Sequence, residues 1–251
     1  VVEPGKAFVA GVRGTLLRTE DAGATWEPIN THVTVDLNAI HFPDVDTGYV
    51  VGGGSVVLLT VDGGSTWTYS TTVESGQGVP LFDVRFHNRT TGWAVGEEGT
   101  VMHTNDGGEE WVAQVGCSTG ADIRGIAVDL EHLGLWTAAS DGSICHSSDA
   151  GSSWHLEQES STTGGTLYSV RVWPGEYPLA FGSQGTLWRY VSSPLHRRPP
   201  PHRHHHLRHH PHPPPAPPPL YQFHTRPSPS SLPPSSLSTT ATSATKSTSP
   251  T

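Results

Sequence analysis

Cysteine is scarce: Cys117 and Cys145 are the only two in 251 residues. Two cysteines supply neither a disulfide framework nor a set of metal ligands, so free thiols are the default expectation. A single bond between them in an oxidising compartment is the alternative. Long apolar runs are missing too, and none approaches the ~20 residues a membrane helix needs. Positive charge is thin over residues 1–193, which hold all 23 acidic residues against 8 Lys and Arg, a formal charge of −15. That balance argues against nucleic acid as a partner, since its affinity comes mainly from neutralised phosphates. Any basic site must be local. No apolar pattern of helical period and length separates the strand-like segments, which excludes crossover helices and a parallel sheet. The opening Val1-Val2, with no methionine and no signal-peptide pattern, reads as a processed or partial start.

What is there is a repeat. The pattern [ST]-x-D-x-G-x-x-W occurs four times: TEDAGATW at 19–26, TVDGGSTW at 60–67, TNDGGEEW at 104–111 and SSDAGSSW at 147–154. Its aspartates, Asp21, Asp62, Asp106 and Asp149, stand 41, 44 and 43 residues apart. Seven residues before each comes Gly14, Ser55, Gly99 or Gly142, and Gly185 continues the series. Each unit resolves into four short strands, clearest in the third: LFDVRFHN (81–88), GWAVG (92–96), GTVMHT (99–104) and EWVAQV (110–115). Aligned second strands place Phe8, Tyr49, Trp93, Trp136 and Leu179 at one core position, and third strands place Leu16, Val57, Val101, Ile144 and Leu187 at another.

Four antiparallel strands per ~43 residues is the size of a propeller blade, which buries its faces only when neighbours stack on it. The expected fold is therefore an all-β propeller over 1–193, with units near 5–31, 35–72, 80–116, 122–159 and 166–192. The first unit lacks its first strand and the fifth stops before its Asp-box, giving three complete and two partial blades. Either the chain is a fragment or truncated relative, or it closes a smaller ring. Open blade edges would invite pairing with another chain.

The recurring residue types have a turn-holding chemistry. A carboxylate in the hairpin between third and fourth strands accepts backbone N–H bonds from its own turn, and a hydroxyl two residues earlier adds to them. The glycines Gly23, Gly64, Gly108 and Gly151 supply positive φ. The tryptophans Trp26, Trp67, Trp111 and Trp154 cover the turn with apolar surface. Reading the aspartates as metal ligands or catalytic acids fails on their repetition, because a catalytic group is normally unique. Glu110 replaces the usual Ser or Thr and weakens the third box. No metal or cofactor is expected.

TGWAVGEEGTVMHTNDGGEEW (91–111) resembles the repeat of the photosystem II stability and assembly factors of plastids and cyanobacteria. The resemblance rests on G-W-A-V-G, then G-T-V-x-x-T, then D-G-G-x-x-W, with weaker copies across about 5–190. It implies a seven-bladed, non-catalytic propeller that binds newly made reaction-centre protein at the thylakoid membrane. That would place the protein in the plastid thylakoid lumen or on the thylakoid, peripheral to the membrane at most. The chain departs from the pattern in extent, since eighteen strands do not make seven blades.

A binding site belongs where the repeat breaks its own residue type. In the aligned first strands, His41, Arg85, Ala127 and Arg171 share one register, with Arg124 nearby. Two arginines at one register on an acidic domain form a local site for a carboxylate, and the resemblance makes a protein segment the expected ligand. The plainer reading is ordinary pairing with Asp or Glu. Arg13, Arg18 and Arg189 are weaker candidates.

Asp-boxes also occur in sialidases and other glycoside hydrolases, which need an arginine cluster, a tyrosine nucleophile and acid groups. Residues 1–193 offer few arginines, the tyrosines Tyr49, Tyr69, Tyr168, Tyr177 and Tyr190, and no Arg-x-Pro opening motif. A secreted or receptor-type propeller is a third reading, which a Cys117–Cys145 bond would favour. From Pro194 the chain turns His/Pro-rich and then Ser/Thr/Pro-rich, a composition that forms no packed core. His202, His204, His205, His206, His209, His210 and His212 would capture transition metal only adventitiously.

Overall fold

The structure is a computed structural model, and it describes residues 3–70, 78–117, 120–130, 134–158, 165–173 and 176–190. The tail from Pro194 and its histidines lie outside the described residues. Among the described residues, eighteen strands form five antiparallel sheets in chain order. Blade 1 has β1 (Ala7–Ala10), β2 (Leu16–Thr19) and β3 (Glu27–Pro28), and blade 2 has β4 (Leu37–His41), β5 (Gly48–Gly52), β6 (Val57–Thr60) and β7 (Thr68–Tyr69). Blade 3 has β8 (Leu81–Phe86), β9 (Gly92–Gly96), β10 (Val101–Thr104) and β11 (Val112–Gln114). Blade 4 has β12 (Ile123–Val128), β13 (Leu135–Ala139), β14 (Ile144–Ser147) and β15 (His155–Gln158). Blade 5 has β16 (Leu167–Arg171), β17 (Leu179–Gly182) and β18 (Leu187–Arg189). Three four-stranded and two three-stranded sheets result, the interrupted first and fifth units of the repeat. No helix among the described residues is long and apolar enough to cross a membrane.

The second strands explain why the blades must stack. Every residue of β5, β9 and β13 is buried, so GYVVG, GWAVG and LWTAA each hide both faces, as strands sandwiched between sheets do. Burial of Leu16, Val57, Val101 and Ile144 follows the alignment, but Leu187 is 62 % exposed. Leu187 stands on blade 5, which has no sheet beyond it among the described residues to cover that face.

Each seam is built by interlocking residues from two blades. Tyr49 of β5 donates its hydroxyl hydrogen to the carbonyl of Gly107 (2.9 Å) in the next blade's Asp-box, and Trp93 of β9 donates Nε1–H to Ala150 (3.2 Å) in the box after that. Phe8 of β1 occupies the same place against blade 2. A Cβ on Gly64 would lie 2.3 Å from its ring, and φ is +83° there, so glycine is required twice over.

The boxes hold their turns by one scheme. In the first, Asp21 Oδ1 accepts from Thr19 Oγ1 (2.7 Å) and Thr25 N (2.8 Å), while Oδ2 accepts from Thr25 Oγ1 (2.5 Å). These bonds, led by the Thr25 hydroxyl, hold Asp21 down at about 2; Thr66 does the same for Asp62 and Ser153 for Asp149. Asp106 keeps the Thr104 hydroxyl (2.8 Å) and the Glu110 N–H (3.1 Å), but Glu110 has no hydroxyl to give its second oxygen. Glu110→Thr is therefore expected to stabilise by about 1 kcal/mol. Calorimetry checks it as a rise in Tm of about 2–4 °C, and an unchanged or lowered Tm overturns it.

Cys117 and Cys145 are bonded, with Cα atoms 6.2 Å apart, which corrects the expectation of free thiols. A separation of 28 residues in sequence says nothing by itself. The fold supplies the proximity: Cys117 follows the outer strand β11 of blade 3, and Cys145 lies in β14 of blade 4.

Candidate functional site

The innermost strands β4, β8, β12 and β16 each carry a β-bulge, where two residues face one on the partner strand. The extra residues are Asn38, Phe82, Arg124 and Tyr168. A bulge re-aims a side chain out of the pleat, and all four line one cleft of about 340 Å³. Arg85, Arg171 and Asp83 line it too. Asn38 donates Nδ2–H to the carbonyl of Leu81 (2.8 Å), tying blade 2 to blade 3 at the cleft.

Asp83 organises the arginines. It is 6 % exposed. Its Oδ1 accepts from Val84 N (3.0 Å) and pairs with Arg85 Nη1 (3.0 Å). Its Oδ2 accepts from Ile126 N of the next blade (3.2 Å) and lies 3.8 Å from Arg171 Nη1. Burial pushes its carboxyl upward, opposed by Arg85, the Ile126 N–H and Arg171. All its partners are N–H donors, the pattern of an ionised carboxylate. Arg85 and Arg171 also donate Nη1–H to the carbonyls of Val84 (2.7 Å) and Val170 (2.8 Å). Both guanidiniums are thus held from below through one nitrogen, with Nε and Nη2 outside these bonds. Arg124 stacks over the Phe82 ring at 4.1 Å and pairs with Asp122 (2.6 Å).

The structure therefore brings Arg85, Arg124 and Arg171 together. His41 shares the register of Arg85 and Arg171 but stacks beside Phe86, 6.4 Å between ring centres, and does not line the cleft. Burial, then the charges of Arg85 and Arg171, push His41 down to about 4, so it is neutral at neutral pH. The plainer reading of the arginines, pairing with aspartate, also holds in part, for each has an Asp partner. Arg18 sits elsewhere with Glu20 (3.5 Å) and Glu27 (3.4 Å), while Arg13 and Arg189 fall outside the cleft lining.

Against this geometry, the model of the family described as Photosynthesis system II assembly factor YCF48 matches residues 1–72 and 21–118. Over residues 1–118 the chain is similar to the photosystem II stability/assembly factor family. The chloroplastic photosystem II stability/assembly factor HCF136 of Arabidopsis thaliana is 34 % identical over 71 residues, 26 % of this chain and 17 % of the relative. The matched segment thus spans under a fifth of that curated relative's length. Among solved structures, YCF48 bound to a D1 peptide is 22 % identical with a TM-score of 0.58, over 74 % of this chain and 62 % of that one. A GH74 xyloglucanase from Xanthomonas campestris is 15 % identical with a TM-score of 0.62, over 75 % and 35 %. At such identities both establish a shared propeller fold and nothing more.

Proposed function

We propose that this propeller is a non-catalytic scaffold whose inner-strand cleft binds an anionic segment of photosystem II reaction-centre protein during assembly or repair. The observation that carries the reading is the convergence of Arg85, Arg124 and Arg171 from three neighbouring blades on a domain that is otherwise strongly acidic. Guanidiniums fixed from below present their remaining donors in a geometry suited to carboxylate. The D1 peptide held by the YCF48 structure gives the ligand class a precedent. A plastid site at the thylakoid, on its lumenal side, accords with the chloroplastic relative; the disulfide needs an oxidising compartment and so fits both that site and the secreted or receptor-type reading.

The hydrolase alternative has more to stand on than sequence alone offered, because Tyr168 joins the arginines in the cleft. Among the described residues it lacks an available acid: Asp83 is the one carboxylate of these that lines the cleft, and both its oxygens already accept backbone N–H bonds. Affinity capture from a photosynthetic membrane extract tests the proposal. The wild-type chain is expected to recover a reaction-centre subunit, and the Arg85→Ala/Arg171→Ala variant to recover about tenfold less or lower still, given what charge-assisted bonds contribute. Equal recovery, or no reaction-centre subunit at all, overturns it. Turnover of a sialoside by the wild type would establish the hydrolase.

A further inference from the structure

The cleft contains a discriminator as well as a binding group. Three guanidiniums, of Arg85, Arg124 and Arg171, face two carboxylates, of Asp83 and Asp122, which leaves one formal positive charge. Asp83 cannot swing away when a ligand arrives, because its two oxygens are tied to Val84 N and to Ile126 N on different blades. It is also buried, where a fixed charge is screened far less than at the surface. A ligand with one negative charge completes the balance. A second charge on the same ligand meets Asp83 across the arginines, with no further cation among the described residues that line the cleft to offset it, and like charges held close are repelled.

We propose that Asp83 is the specificity determinant of this cleft, setting it to accept a single carboxylate and to reject a doubly charged oxyanion such as a phosphomonoester. This rests on reading the cleft as an anion site for a protein segment. Asp83 touches no ligand in this role; it acts through Arg85 and Arg171.

Three acetylated Gly-Ala octapeptides test the idea by NMR titration of the full chain, following arginine side-chain resonances. One has a free C-terminal carboxylate, one a C-terminal amide, and one a phosphoserine followed by an amide. The wild type is expected to bind the carboxylate peptide about tenfold more tightly than the phosphoserine peptide, and the neutral amide not measurably. Asp83→Asn is expected to strengthen phosphoserine binding about tenfold and so erase or invert the ranking. If the wild type prefers phosphoserine, or Asp83→Asn leaves the ratio unchanged, the role of Asp83 is overturned. If no peptide shifts the arginines, the anion-site reading beneath it falls first. Should Asp83→Asn not fold, the wild-type ranking alone decides.

Discussion

Trp111→Ala is expected to destabilise the propeller by about 3–5 kcal/mol, the usual loss for truncating a fully buried aromatic, while Trp26→Ala costs under about 1.5 kcal/mol. The two tryptophans hold the same place in their Asp-boxes, so a residue that merely covered its own turn would matter equally in both. Trp111 is 1 % exposed and Trp26 40 %. The difference is the neighbour. Trp111 meets Phe86 edge-on at 5.8 Å and donates Nε1–H to the hydroxyl of Ser70 (3.2 Å), which belongs to the preceding blade. Trp67 is likewise 6 % exposed and packs edge-on to Phe8 of the preceding blade. Trp26 has no preceding blade among the described residues. Urea unfolding of both variants separates the possibilities: equal losses would mean that the turn, and not the seam, is where this side chain acts.

Removing the Cys117–Cys145 bond has the second large effect. It closes 28 residues of chain, and the loop-entropy relation puts the loss at about 3–4 kcal/mol. The double variant Cys117→Ala/Cys145→Ala and the wild type in dithiothreitol should show the same shift of the unfolding midpoint. Cys145 is 2 % exposed, so alanine there also opens a small cavity, and the reductant arm isolates the bond from that cost. A midpoint unmoved by reductant would refute a stabilising role for the bond.

Much of the fold was legible because the repeat states it four times: strand order, box geometry and the buried second strands follow from register alone. The arginine register was legible too, as two arginines recurring at one position of the repeat beside His41 and Ala127. The bulges were not. Alternation assumes one residue opposite one, and a bulge breaks that count without changing composition. A signal was present: Leu37 and Ile40, Leu81 and Val84, Ile123 and Ile126, Leu167 and Val170 face inward three residues apart rather than two. Asp83 escaped notice for a related reason. It stands directly after a bulge, and attention to positive charge passes over the carboxylate that positions it. The disulfide and the exposure of Leu187 depend on which blades adjoin, and a single unit of sequence does not contain that information.

The contact between a second-strand aromatic and the next blade's box has an evolutionary reading. Phe8, Tyr49 and Trp93 each project forward onto a glycine turn, and the blades that bear Tyr49 and Trp93 also present such a turn to the aromatic behind. A copied unit therefore arrives with both halves of its joint already compatible. Gene duplication can lengthen or shorten such an array by whole blades without inventing an interface, while the inner-strand residues that give each blade its individuality are left free to diverge.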